Sequence, residues 1–230
     1  MADMITLDEN DYAVWTEKYN RAKANTLAQS VRQGTLIEVA AQHPLLDRRF
    51  PNEEFEKRLL LGRELYLRER EQGRSAKIYV PGSLHQFEGV ADMVSLSRAG
   101  TEFLLAQGVP AGDLYGEDAN LEFKGGDGVY NSSDECYVAV RLLETRGYGR
   151  LHCVCSSAQM MRKALSYIQF GFLPYFHTVT TDNMYHNYVD EIFKAIPILI
   201  RDGQGLQGGS AAGAEMRMSR DPARAAGKKP

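Results

Sequence analysis

The feature that most constrains the fold of this chain is an alternation of short apolar runs with longer segments of helical periodicity. Five short runs, most of them rich in β-branched or aromatic residues, predict strands. They cover residues 35–41, 76–80, 113–117, 150–155 and 174–179. Strands that alternate with helices favour a parallel sheet covered on both faces. We therefore expect a Rossmann-like three-layer α/β/α fold with a mostly parallel sheet of about five strands, plus an N-terminal helix.

The helical patterns suggest three regions along the chain. Helices are predicted over residues 8–33, 52–72, 88–107, 132–146, 158–170 and 183–195. The first carries Tyr12, Trp15, Tyr19 and Ala22 at helical spacing, which predicts one buried face. Residues 203–230 contain no aromatic and no β-branched residue, so we expect a disordered tail. The predicted organisation is a helical extension (1–33), a Rossmann-like domain (34–202) and this tail.

Net charge, hydropathy and residue spacing argue against several kinds of function. The chain has 27 basic and 30 acidic residues, a net charge of −3, which gives no electrostatic reason to expect nucleic-acid binding. No window is apolar enough for a membrane span, and the N-terminus lacks the pattern of a secretory signal, so a cytoplasmic location is expected. The three cysteines are expected to be reduced, and the histidines lack the paired spacing of a zinc site, so no metal is expected.

The fold class itself predicts where a ligand would bind. In open parallel sheets, ligands bind beyond the carboxyl ends of the strands, near the point where the strand order reverses. Polar or glycine-containing segments follow the second, third and fourth predicted strands. These segments supply the candidate ligand-binding residues Gly82, Ser83, Asn131, Ser156, Ser157 and Gln159, with Glu117 as the candidate catalytic residue.

Five of the candidates have a structural alternative. Gly82 and Ser83 form either a backbone anion cradle or an ordinary turn. Ser156 and Ser157 either cap a helix or bind a phosphate or carboxylate at its N-terminus. Glu117 either binds ribose hydroxyls or an amino group, or acts as a base, or is a solvated loop carboxylate.

Three common catalytic or cofactor motifs are missing. The chain has no Gly-x4-Gly-Lys-Ser/Thr phosphate loop, no Gly-x-Ser-x-Gly elbow and no Gly-x-Gly-x-x-Gly after the first strand. Residues 124–128 (Lys-Gly-Gly-Asp-Gly) are expected to form a turn or flexible lid. A serine hydrolase and an ordinary NAD site are thus disfavoured.

An ordered series of short motifs resembles a known family. The series comprises Arg58, 78–83 (Ile-Tyr-Val-Pro-Gly-Ser), 104–110 (Leu-Leu-Ala-Gln-Gly-Val-Pro), Glu117, 131–135 (Asn-Ser-Ser-Asp-Glu), 154–157 (Val-Cys-Ser-Ser) and 163–164 (Lys-Ala). It is similar to the YdcF/SanA/ElyC family over about residues 36–179. The resemblance implies a Rossmann-like fold and a small-molecule pocket, with S-adenosylmethionine or another nucleotide-like ligand as its occupant. Its pocket positions fall on Gly82, Ser83, Glu117, Asn131, Ser156, Ser157 and Lys163.

The chain departs from that family pattern at informative positions. Met160 stands where the family has histidine and Lys163 stands where it has arginine. We also expect no membrane anchor of the kind that some relatives carry. Losing the histidine removes an acid–base group. The resemblance therefore implies a specialised branch with a reshaped pocket.

Three functions remain open at this point. The leading one is a cytoplasmic binding protein or enzyme, for example a transferase, that uses S-adenosylmethionine or a nucleotide-like ligand. The second is a hydrolase or transferase acting on a phosphate- or sugar-phosphate-bearing metabolite, with His43 or His85 as the titrating group. The third is a ligand-binding module without catalysis.

Overall fold

The computed structural model describes residues 9–41, 49–83, 94–125, 128–129 and 131–180. The helices are α1 (Glu9–Gln29), α2 (Glu53–Glu71), α3 (Leu96–Ala106), α4 (Glu117–Lys124), α5 (Ser132–Arg146) and α6 (Met160–Gln169), with a 3₁₀ turn at Ala111–Asp113. The strands are β1 (Thr35–Val39), β2 (Ala76–Tyr79), β3 (Leu114–Tyr115), β4 (Arg150–Ser156) and β5 (Tyr175–Val179).

The five strands form one parallel sheet in the order β3-β2-β1-β4-β5. In the central register, Leu36 of β1 lies between Lys77 of β2 and Leu151 of β4. The chain moves outward from β1 to β3, then crosses to β4 on the other side. The order therefore reverses between β1 and β4. The predicted Rossmann-like α/β fold with an N-terminal helix is confirmed.

The helices cover both faces of the sheet because the side chains of its buried strands alternate. Ile37 and Val39 of β1 belong to a core that includes residues of α2 and α3. Leu36 and Ala40 belong to the opposite core, which includes residues of α5 and α6. All three cysteines are buried and free. A continuously buried central strand of this kind is what a parallel sheet requires.

Helix α1 packs against the sheet domain by a narrower contact than its sequence pattern predicts. Ala22 is fully buried, but Tyr12 and Tyr19 are 78% and 46% exposed, so the prediction that they share a buried face is wrong. The helix attaches chiefly through polar side chains: Asn25 Nδ2 donates to the carbonyl of Gly171, and Gln29 Nε2 donates to that of Tyr148. These bonds replace the apolar stripe that periodicity suggests.

The third predicted strand ends earlier than expected. Glu117 begins α4 and does not end a strand, because β3 stops at Tyr115 and Gly116 is the N-cap of the helix. Helix α5 begins at Ser132, as predicted, and Asn131 caps it: its Oδ1 accepts hydrogen bonds from the backbone N–H groups of Ser133 and Asp134. The Glu135 side chain makes an ion pair in the core.

Several predictions fall outside the described residues. They concern residues 88–93 of the third predicted helix, the last predicted helix, the tail, His43 and His85. Within the part of the chain that the structure describes, no helix is both long and apolar enough to cross a membrane.

We predict that Gly62→Ala destabilises the fold. Gly62 lies inside α2, and a Cβ there would sit 2.4 Å from Cγ2 of Val39, a stiff β-branched side chain in the core. Overpacking costs about 1–3 kcal/mol, against about 1 kcal/mol gained from alanine's helix propensity. The free energy of unfolding by urea should therefore fall by about 1 kcal/mol.

Gly112→Ala is the matched control, because a Cβ at Gly112 meets nothing within 4 Å. We expect it to change stability by about 0.5 kcal/mol at most. Equal effects of the two variants would contradict close packing of α2 on β1.

Candidate ligand-binding site at the carboxyl edge of the sheet

A buried guanidinium group lies at the carboxyl end of β1. Arg58 of α2 is 2% exposed, and its Nη1 donates to the carbonyls of Ala40 (3.0 Å) and Ala41 (3.3 Å). Its Nη2 pairs with Glu54 one helical turn earlier. Arg58 thus joins α2 to the chain where it leaves β1, next to the position at which the strand order reverses.

A chain of hydrogen bonds extends from Arg58 across the crevice between β1 and β4. Arg58 Nη1 donates to Gln159 Oε1 (3.1 Å), and Gln159 Nε2 donates to Ser132 Oγ (3.3 Å). Arg162 Nη1 donates to the same Ser132 oxygen (2.5 Å). We call Arg58, Gln159, Ser132 and Arg162 the crevice network. It connects α2, α5 and α6 at the reversal point, where this fold class binds ligands.

The crevice network lies where two helices begin. Ser132 is the first residue of α5, and Gln159 is the N-cap of α6. The helix dipole adds partial positive charge at a helix N-terminus, although Asn131 already binds the N–H groups of Ser133 and Asp134 at the start of α5. Two guanidinium groups increase that charge, and the Glu54 carboxylate offsets one of them. The net effect is an environment suited to an anionic group such as a phosphate or carboxylate.

The two serines after β4 have different roles. Ser156 Oγ accepts a hydrogen bond from the backbone N–H of Gln159 (3.2 Å), which stabilises the turn into α6. Ser157 donates its backbone N–H to the carbonyl of Val179 at the end of β5 (3.0 Å). The Ser157 hydroxyl is buried and has no hydrogen-bond partner among the described residues. Ser156 is therefore a turn-stabilising residue, whereas Ser157 retains an unused polar group.

Gly82 and Ser83 hold a neighbouring loop in place. The N–H of Ser83 donates to the carbonyl of Val129 (2.8 Å), and its Oγ accepts from the N–H of Val129 (2.7 Å). Gly82 has a φ of 106° and lies close to Leu96, where a Cβ would be 2.8 Å from the Leu96 Cβ. The Ser83 N–H is thus already engaged, and glycine is required at position 82 by both conformation and space.

The remaining predicted residues on this side are Glu117 and Asn131. Glu117 is exposed at the start of α4, and its Oε1 accepts a hydrogen bond from Ser95 Oγ (2.6 Å). Asn131 caps α5, and its Nδ2 donates to Asp134 Oδ2 (2.8 Å). Lys124, which ends α4, pairs with Asp134 (3.2 Å). Asn131 is therefore a structural cap, and Glu117 keeps an exposed carboxylate at this edge.

Lys163 is enclosed in the core and does not face the crevice. Its ammonium nitrogen lies 2.5 Å from Glu38 Oε1 of β1 and 2.5 Å from Glu135 Oε2 of α5, and its side chain is fully buried. Tyr167 donates its hydroxyl to the other oxygen of Glu38. Although burial alone would lower the pKa of Lys163, the neighbouring Cys136, Glu135 and Glu38 hold that pKa well above its ordinary value. We call Glu38, Lys163 and Glu135 the buried triad.

Sequence reasoning missed four site-forming residues, of which Arg58 and Glu135 were part of the family resemblance: Arg58, Glu38, Glu135 and Arg162. A signal for Glu38 exists: it is a lone acid in an otherwise apolar strand that is buried along its whole length. A buried charge requires a partner. Lys163 is 125 residues away in sequence, so no local pattern links the two.

No protein-family model matches the chain, and no curated protein and no solved structure matches it either. The family resemblance described above therefore stays a prediction. The functional proposal rests on the geometry of the carboxyl edge of the sheet.

A pair of histidines lies on the α2 face of β4 and β5. His152 Nδ1 and His177 Nε2 are 2.8 Å apart, and the two rings stack. Burial, reinforced by His177, lowers the pKa of His152 to about 4. Burial, reinforced by Arg68, lowers the pKa of His177 as well. No group of three or more potential metal ligands occurs among the described residues.

We predict that the stability of the protein depends on His152 in mild acid. Unfolded His152 takes up a proton near pH 6.5, while the folded state resists protonation until about pH 4. This contribution is complete above pH 6.5 and is lost as the pH falls from 6.5 towards 4. Thermal melting of the wild type and His152→Gln across this range measures it. The variant should lose less stability on acidification; parallel curves would contradict the assignment.

Proposed function

We propose that this chain binds a nucleotide-like small molecule at the carboxyl edge of its sheet, with S-adenosylmethionine as the leading candidate. The observation that carries the proposal is the crevice network, which concentrates two guanidinium groups and two helix N-termini between β1 and β4. Burying polar groups is costly unless they serve structure or a ligand. The crevice network lies at the edge where open α/β sheets bind ligands.

The layout of the edge fits a ligand with one anionic end and one polar end. Arg162 and Ser132 would hold the anionic portion, through charge-assisted hydrogen bonds that are stronger than neutral ones. Glu117 would accept hydrogen bonds from sugar hydroxyls or an amino group. Neighbouring strands lie about 4.8 Å apart, so the ends of β1 and β3 are separated by roughly 10 Å. A nucleoside-sized molecule spans that distance.

A transferase activity extends this proposal. S-adenosylmethionine, when bound, supplies an electrophilic methyl or aminocarboxypropyl group, so the cofactor carries the difficult chemistry. The protein would then contribute mainly by orienting the cofactor and an acceptor at the edge of the sheet. Glu117 is an exposed carboxylate on this side that could accept a proton from such an acceptor.

The deciding experiment is calorimetric titration of the purified chain with S-adenosylmethionine, S-adenosylhomocysteine, ATP and ADP-ribose. Binding of any one supports a nucleotide-like ligand, and preference for the first two supports S-adenosylmethionine. Absence of heat with all four would overturn the proposal. Incubation with the bound ligand, followed by mass spectrometry, separates an enzyme from a binding module. Release of phosphate from sugar phosphates would instead favour the hydrolase alternative.

We predict that Arg162→Gln weakens binding of the anionic ligand. Removing one charge-assisted hydrogen bond costs about 1.5–3 kcal/mol, which corresponds to roughly a ten- to hundredfold rise in Kd. Arg141→Gln is the matched control, because Arg141 is an exposed arginine that pairs with Glu144 on α5. An equal change in both variants would show that only net charge matters, and no change in either would remove Arg162 from the site.

We predict that Glu117→Gln also weakens binding, by roughly ten- to a hundredfold, if its carboxylate accepts hydrogen bonds from the ligand. The amide keeps the shape and can still accept the hydrogen bond from Ser95, so the melting temperature should change little. Calorimetry and thermal melting on the same variant measure both quantities. Unchanged affinity with a clear drop in melting temperature would mean that Glu117 only supports the loop at Ser95.

A further inference from the structure

The buried triad carries an unbalanced set of formal charges. Two carboxylates, Glu38 and Glu135, each lie 2.5 Å from the single ammonium group of Lys163. Both the Lys163 and Glu38 side chains are completely buried, and that of Glu135 is 10% exposed. If all three were ionised, the buried triad itself would carry one net negative charge. A net charge in a buried site is costly, and buried groups usually take up or release a proton instead.

We propose that the buried triad is a proton-binding site in which the carboxyl group of Glu135 is protonated at neutral pH. Glu38 remains the anionic partner, because Tyr167 donates its hydroxyl to it and Lys163 donates to its other oxygen. The triad is then neutral, with one hydrogen-bonded ion pair and one carboxylic acid. This inference does not rest on the proposed function.

The surroundings of Glu135 favour this assignment. Burial is the largest influence on its pKa and raises it; Lys163 opposes this, and the charge of Glu38 adds to it. Burial raises the pKa of the Cys136 and Cys153 thiols well above the ordinary value, whereas the hydrogen bond with Cys153 lowers the pKa of Cys155. Asp134, the next residue on α5, pairs with Lys124. Arg162 on α6 opposes protonation, because its charge lowers the pKa of Glu135. The other titratable groups in this environment are Tyr79 on β2 and Tyr167 on α6.

The proton links three elements of the fold. Glu38 is on β1, Glu135 is in the first turn of α5, and Lys163 is in the first turn of α6. Loss of the proton at high pH would leave two buried carboxylates facing one ammonium group. The contact between α5, α6 and β1 should then weaken, just below the crevice network. The buried triad thus makes the contact of the two helix N-termini with β1 dependent on pH.

The test compares Glu135→Gln with the wild type by thermal melting from about pH 5 to pH 9. In the wild type, the folded state holds a proton that the unfolded state releases near pH 4.3, so stability falls as the pH rises above that value until Glu135 titrates. The amide variant lacks this loss. The melting temperature of Glu135→Gln minus that of the wild type should therefore increase with rising pH, while pH effects common to both proteins cancel. A difference that stays constant, or that decreases with rising pH, would overturn the proposal.

Two further variants sharpen the test. Glu38→Gln removes the counter-ion of Lys163, and breaking a buried pair is strongly destabilising, so the melting temperature should fall by roughly 10 °C. Glu144→Gln, at an exposed position of α5, should track the wild type at every pH. A Glu135→Gln protein as unstable as Glu38→Gln at neutral pH would show that Glu135 is ionised.

Infrared spectroscopy gives an answer that does not depend on the stability of Glu38→Gln. A protonated carboxyl group has its own carbonyl-stretch band, distinct from that of a carboxylate. At neutral pH the wild type should show this band, and Glu135→Gln should lack it. Its absence from the folded wild type would overturn the assignment.

Discussion

The ammonium group of Lys163 is the interaction on which the arrangement of the central elements depends. It is completely buried and lies 2.5 Å from carboxyl oxygens of Glu38 on β1 and Glu135 on α5, while its own backbone belongs to α6. A buried ammonium group without such partners would cost several kcal/mol, so the three elements cannot separate independently. The geometry also specifies direction: α5 and α6 must both present their first turns to the same end of β1. That requirement brings their N-termini together at the carboxyl edge.

The crevice network lies next to the buried triad, and its cations are guanidinium groups, those of Arg58 and Arg162. Arg58 donates from Nη1 to two successive carbonyls after β1 and to Gln159, and its Nη2 pairs with Glu54. These four partners exceed the three N–H donors of an ammonium group. Ser132 and Glu135 are three residues apart on α5, so they lie on the same side of the helix. One belongs to the crevice network and the other to the buried triad. Any displacement of α5 therefore affects both sets of contacts at once.

The fold could be predicted from the sequence because it follows from a repeated local pattern, whereas the contacts of the site could not. Alternating strand and helix patterns specify a parallel sheet, and the general behaviour of such sheets specifies the edge where Ser156 and Gln159 lie. The buried triad depends on residues more than a hundred positions apart, Glu38 and Lys163, and no local pattern connects them. Glu117 was misplaced by a short distance, because a two-residue strand followed by Gly116 leaves little periodicity to detect.

The burial of Lys163 changes how the family resemblance applies to this chain. The resemblance assigns position 163, an arginine in the family, to the ligand pocket, and a planar guanidinium with five donors suits an exposed anion. Lysine has a smaller head group with three donors, which two carboxyl groups can satisfy in a dry core. Lysine at this position thus suits an internal ion pair better than anion recognition. Under the proposed ligand binding, positive charge would come instead from Arg162, which is adjacent in sequence and bonded to Ser132 at the start of α5.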